Sequence, residues 1–197
     1  MQITRFAGLS TARFVATVLM CAFALSAHAG DDKADKAKEQ EEIRKVAQKT
    51  LQRLYKAQPA AQAAVDHGAG YAVFSNTGVK ILLAGSGKGK GLAVDNRTKK
   101  EVFMKMVELQ AGLGFGVKKF SVIFVFDNDK ALNSFINSGW EFGGQASAAA
   151  TTGEKGGSMA GAASVSDGVW MYQMTDKGLA AEITAKSTKY YKDDDLN

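Results

Sequence analysis

The chain has one cysteine, one proline and two histidines in 197 residues. Each shortage removes a class of function. The cysteine, Cys21, sits in an N-terminal apolar run that carries the marks of a cleaved leader. What remains has no thiol for a disulfide, a nucleophile or a metal site. The single proline, Pro59, leaves no proline-rich linker and no domain boundary of that kind. Beyond the leader the only histidine is His67, beside Asp66 at a helix end. A pair of zinc-binding histidines in an HExxH helix is therefore excluded. No apolar run reaches the roughly 20 residues that a transmembrane helix needs.

The leader is defined by what surrounds that run. MQITRFAGLSTAR carries Arg5 and Arg13 and no acid, FVATVLMCAFALS follows, and Ala27-His28-Ala29 is an A-x-A cleavage site. Residues 1–29 thus read as a signal peptide. Acylation of Cys21 is disfavoured by bulky Met20 before it and by apolar residues continuing past it. Removing the two arginines takes the formal net charge from +5 to about +3, so the pI near 9.2 overstates the basicity of the exported chain. Gly30–Asn197 is the length of one domain, large enough to hold a core without disulfides.

Residues 30–58 read as an amphipathic helix. Ile43, Val46, Ala47, Leu51, Leu54 and Tyr55 recur at three- and four-residue spacing. Pro59 starts a short second helix that Gly68 stops. From Gly70 the period becomes two: GYAVFS, VKILLAG, KGLAVD, KEVFMKMVEL, KFSVIFVFD and VWMYQMT are strand-like. Turn chemistry separates them, including Asp95-Asn96-Arg97-Thr98 and Asp176-Lys177-Gly178. Such short breaks imply antiparallel pairing, because a parallel crossover needs a dozen residues or more. One helix is inserted, capped by Asp127 or Asn128 and ended by Gly139. The expected fold is α+β: N-terminal helices packed on a mostly antiparallel, Gly/Ala-rich sheet or partly closed barrel. The globular part spans 59–192, and 193–197 is a disordered acidic tail.

GSGKGKG, residues 85–91, has the composition of a phosphate loop but not its spacing. A Walker A loop ending at Lys90 would need glycine at Ala84 and a hydroxyl at Gly91, and G-x-G-x-x-G fails at Lys90. Gly85, Gly87, Gly89 and Gly91 instead alternate, as do Gly112, Gly114 and Gly116, which places each set on one strand face. A bare backbone face implies close approach by another body. Candidates are the N-terminal helix, an opposite barrel wall or an acyl chain, and the helix is the expected one. FGGQASAAATTGEKGGSMAGAASV, residues 142–165, is expected to form two further small-residue strands.

GYAVF after a short helix, LAGSGKGKG, ELQAGLGFG, DKALNSF and TDKGLAAEI resemble, in that order, the SYLF lipid-binding domain, over about Asp66 to Tyr191. The resemblance implies binding of acidic phospholipids, notably phosphoinositides. It differs in having no SH3 or FYVE partner module and no actin-binding appendage, and ILL at 81–83 is bulkier than the family's glycine-rich start. Actin binding is accordingly not carried over.

The residues offer a matching chemistry. Lys88 and Lys90 project from one strand face, Arg97, Lys99 and Lys100 occupy the neighbouring turn, and Lys118 and Lys119 enter the next strand. Near an anionic surface each charge contributes about 1 kcal/mol, which makes a reversible, salt-sensitive contact. The expected partners are anionic phospholipids or a membrane surface, with no cofactor, metal, nucleotide or nucleic acid. The alternative is a structural or protein-interaction module of the cell envelope. A serine hydrolase is the remotest reading: Gly156-Gly157-Ser158-Met159-Ala160 is an incomplete nucleophile elbow, with only His67 as base.

Overall fold

A computed structural model describes residues 12–75, 86–109, 120–142, 159–180 and 188–197. The chain divides into two units. In the first, Met1–Glu39, the described residues are helical; the second, Gln40–Asn197, holds all the described strands.

The helix expected over 30–58 belongs to the longer α1 (Ala12–Ala57), and its stripe of Ile43, Ala47 and Leu54 is buried. Val46 lies off the stripe at 38% exposure. Pro59 precedes α2 (Ala60–His67), which buries Ala61 and Val65 and ends at Gly68. Four strands follow: β1 (Gly70–Ser75), β2 (Ser86–Asp95), β3 (Glu101–Leu109) and β4 (Phe120–Phe126). Then come α3 (Asp129–Ser138), β5 (Trp140–Phe142), β6 (Ala163–Ser166), β7 (Val169–Thr175), β8 (Gly178–Leu179) and β9 (Thr188–Lys192). Asn128 caps α3 by accepting from the Ala131 amide at 2.9 Å, and Gly139 ends it at φ 68°, a left-handed turn that glycine adopts without strain.

All the pairs are antiparallel, in the order β5-β9-β3-β2-β1-β4-β7-β6, with β8 against β7. The sheet curls into a half-barrel, so the α+β expectation holds. VKILLAG and Gly112, Gly114 and Gly116 lie outside the described residues, as does most of 142–165.

Both faces of the sheet are apolar. One carries Phe74, Met104, Phe124 and Phe126 and is closed by Leu132 and Phe135 of α3. Rings fill it: Phe74 lies 4.6 Å from Tyr190 and Phe124 lies 5.2 Å from Phe135, centroid to centroid. The other face carries Val73, Leu92, Phe103, Ile123 and Tyr172 and is covered by Ile43, Ala47 and Leu54 of α1 and Val65 of α2.

This arrangement corrects the expected partner of the glycines. Gly89 and Gly91 do share a face, but it is the ring-filled one. A Cβ at Gly91 would overlap the Phe74 ring and sit 2.6 Å from the Val73 carbonyl oxygen. Gly91 and Phe74 are register partners across β1 and β2, so the aromatic covers the bare backbone beside it. The N-terminal helix packs on the opposite face.

The acidic tail is corrected as well. Leu196 is buried among the side chains under α1, and the Gln40 side chain donates to its carbonyl at 2.7 Å. The Asp193 amide donates to the Phe103 carbonyl, and Asn197 gives and takes hydrogen bonds with the Phe103 main chain. Residues 193–197 thereby satisfy the stretch of β3 that β9 does not reach. Backbone pairing and one buried leucine override the disorder that three consecutive aspartates imply.

Candidate functional site

The strand register builds one polar row across the helix-covered face. Lys90 of β2 faces Lys105 of β3 on one side and Ser75 of β1 on the other. Ser75 faces Ser121 of β4, and Lys105 faces Tyr191 of β9. The row lies one step beyond the apolar row Phe103, Leu92, Val73, Ile123 and Tyr172. The two serines are buried, and the Ser121 hydroxyl donates to Ser75 Oγ at 3.3 Å. Lys90 is exposed, and Tyr191 is 41% exposed.

Two lysines directly opposed on neighbouring strands repel each other. The tail compensates. Lys105 Nζ lies 2.8 Å from Asp193 Oδ1 and 2.9 Å from Asp195 Oδ2. The hydrogen bonds to Asp193 first and Asp195 second hold the Lys105 pKa above the ordinary lysine value. The two acids differ: the Asp193 side chain is 1% exposed and that of Asp195 is 87% exposed. One is built in, the other rests on the surface.

The turn at the far end of β2 has its own architecture. Asp95 Oδ1 accepts from the amides of Arg97 and Thr98, both at 2.9 Å, and those bonds, Thr98's foremost, pull its pKa below the usual carboxylate value. Lys99 adopts φ 59°. The Asn96 side chain donates to the carbonyls of Val65 and Gly68, fastening the end of α2. Arg97 pairs with Asp129 of α3 at 3.5 Å.

The register therefore separates residues that the sequence analysis grouped. Lys88 and Lys90 belong to the start of β2, with Lys88 opposite Val107. Arg97, Lys99 and Lys100 lie beyond its other end; five strand residues from Lys90 to Asp95 span roughly 17 Å. Lys118 and Lys119, like Ser158, lie outside the described residues. Sequence reasoning missed Lys105, whose acidic partner Asp195 is 90 residues away. Its only local signal was a lysine at an alternating position inside an apolar strand.

The other polar candidates have structural employment. His67 Nδ1 lies 2.7 Å from the Ala63 carbonyl oxygen, and Trp170 Nε1 donates to Asp127 at 2.8 Å. Tyr172 is buried, as strand aromatics usually are, and its phenol pKa is raised by that burial. Among the described residues no three His, Cys, Asp or Glu side chains are grouped as a metal site would require, and no helix is long and apolar enough to cross a membrane.

The class defined here is a small α+β half-barrel whose concave face is filled by its own rings and whose opposed lysines, Lys90 and Lys105, lie on the other face. More particularly, residues 107–197 match the Ysc84 (SYLF) family model, described as "Las17-binding protein actin regulator", in line with the resemblance read from the motifs. The chain is also 30% identical over 154 residues to "Beta cell expansion factor A" of Aeromonas veronii, an alignment covering 78% of this chain. The chain spans 57% of that relative's length. Both descriptions name regulators or factors rather than a catalysed reaction.

Proposed function

We propose that the chain is an exported, peripheral lipid-binding protein that meets anionic phospholipid headgroups, phosphoinositide-like ones included, through lysines of its sheet. The observation that carries this reading is the row in which exposed Lys90 stands beside Lys105 and half-exposed Tyr191. Lysine stems cover apolar surface while their ammonium groups reach headgroups, and a tyrosine suits the same interface. Lys88, Lys118 and Lys119 are the further contacts at the start of β2 and before β4. Arg97, Lys99 and Lys100 form a second basic group at the turn. A concave face packed with aromatic rings favours a headgroup contact over uptake of an acyl chain.

Export is part of the proposal and rests on Arg5, Arg13, the apolar run and Ala27-His28-Ala29. N-terminal sequencing of the protein recovered outside the cytoplasm should begin at Gly30.

Co-sedimentation with phosphatidylcholine vesicles, with and without anionic lipid, tests the binding. Binding should require anionic lipid and weaken steeply with salt. Lys88→Gln with Lys90→Gln should lower affinity about tenfold or more, at about 1 kcal/mol per charge. Equal, negligible binding to every vesicle sinks the reading. The family's description as Las17-binding favours a second one, a protein-interaction module, which pull-down of a defined partner from an envelope extract would support.

A further inference from the structure

We propose that Lys105, facing Lys90 across the β2–β3 pair, is the seat of a phosphate monoester, and that the C-terminal segment is its internal competitor. The proposal deepens the lipid-binding reading and takes its headgroup contact from it.

Two carboxylate oxygens from different residues lie at 2.8 and 2.9 Å on one ammonium, and the one from Asp195 takes a position that a phosphate oxygen would fill. Asp193 is fixed, because it is buried and its amide is bonded to Phe103. Asp195 is exposed, its amide donating to Asp193 Oδ1 at 3.2 Å. With both acids in place, the formal charges of Lys90, Lys105, Asp193 and Asp195 cancel. Moving Asp195 aside opens one position on the Lys105 ammonium, beside the Tyr191 ring. The buried acid keeps the lysine pair from repelling itself, while the exposed acid sets how readily an anion enters.

The test uses the full mature chain and three vesicle types: phosphatidylcholine alone, with phosphatidylglycerol, and with phosphatidic acid, which presents a phosphate monoester. Asp195→Asn should bind phosphatidic acid vesicles about fivefold more tightly than the wild type, the upper range for losing one exposed ion pair. Asp194→Asn makes the same charge change without touching Lys105 and should gain less than about twofold. Adding Lys105→Met to Asp195→Asn should abolish the gain. Should that double variant misfold, the contrast between Asp195→Asn and Asp194→Asn decides alone.

Inorganic phosphate separates the sources. A rise in melting temperature of Asp195→Asn with phosphate, without any vesicle binding, upholds the site and removes the lipid reading. Anionic vesicle binding that Asp195→Asn and Asp194→Asn raise equally, or not at all, leaves the lipid reading standing and overturns this inference. No response of Asp195→Asn to either probe overturns both.

Discussion

The two faces of the one sheet are completed in different ways. The concave face is filled from within the sheet and by α3, ring against ring, with no ion pair in its cluster. The opposite face is covered by α1, α2 and the chain's last residues, and polar ties edge that cover. Arg44 meets Glu101 at 2.7 Å and lies over the Phe103 ring, and Arg53 donates to the Thr175 carbonyl. Gln58 donates to Ala160, and Gln40 to Leu196. Close-packed rings give stability but present no chemistry to solvent. The covered face accepts weaker packing at its margin and gains exposed charge there. The candidate site accordingly lies at the margin of the cover, not in the hollow of the barrel.

The largest expected effect belongs to the concave face. Phe124 contacts Phe74, Phe126, Phe135, Trp140 and Tyr190 and is fully buried. Phe124→Ala should lower unfolding free energy by about 3–5 kcal/mol, the range for removing a buried ring. Chemical denaturation measures it. A loss as small as that of a surface substitution would mean that the two faces do not differ as described.

The next effect lies at the margin. Lys105→Met leaves Asp193 buried without its cation and should cost about 1–3 kcal/mol, below the full penalty of a buried pair because Lys105 is itself partly exposed. Lys90→Met, on the same row, should change stability by less than about 0.5 kcal/mol. Similar losses from the two variants would erase the distinction between a built-in and a surface cation.

The same comparison explains what the sequence could tell. GYAVFS maps onto β1 residue for residue, and Asn128 and Gly139 bracket α3 as their capping chemistry requires. Alternation correctly placed Gly89 and Gly91 on one face. It could not say which face the helix covers, because IFVF in β4 and VF in β1 are buried on both sides and carry no polar phase. β9, TKYYK, was missed because its charges mask a short edge-side strand. The tail was missed for a related reason: its aspartates are explained by Lys105, far away in sequence, and no local pattern encodes such a pair.

The smallest effect concerns alkaline pH, and only the helix-covered face should feel it. Tyr55, near the end of α1, packs against the cluster that the helix covers, and burial foremost, then Asp66 and Tyr71, raises its pKa to about 12. Burial likewise raises Tyr71, whereas the acidic partners raise Lys105. The sign is the same for both kinds of group. Each holds its proton longer folded than unfolded, so its contribution is complete below the unfolded pKa, about 10, and is lost as pH rises through the folded value. Stability should be level from pH 7 to about 9.5 and fall between about 10 and 12. Tyr55 is partly exposed, so its share is discounted to under about 1 kcal/mol. Tyr55→Phe should flatten that part of the decline while leaving the concave rings undisturbed, as near-ultraviolet dichroism would report. A decline unchanged by Tyr55→Phe would assign the alkaline sensitivity to Tyr71 or to the lysine margin, and Lys105→Met should remove it only in the second case.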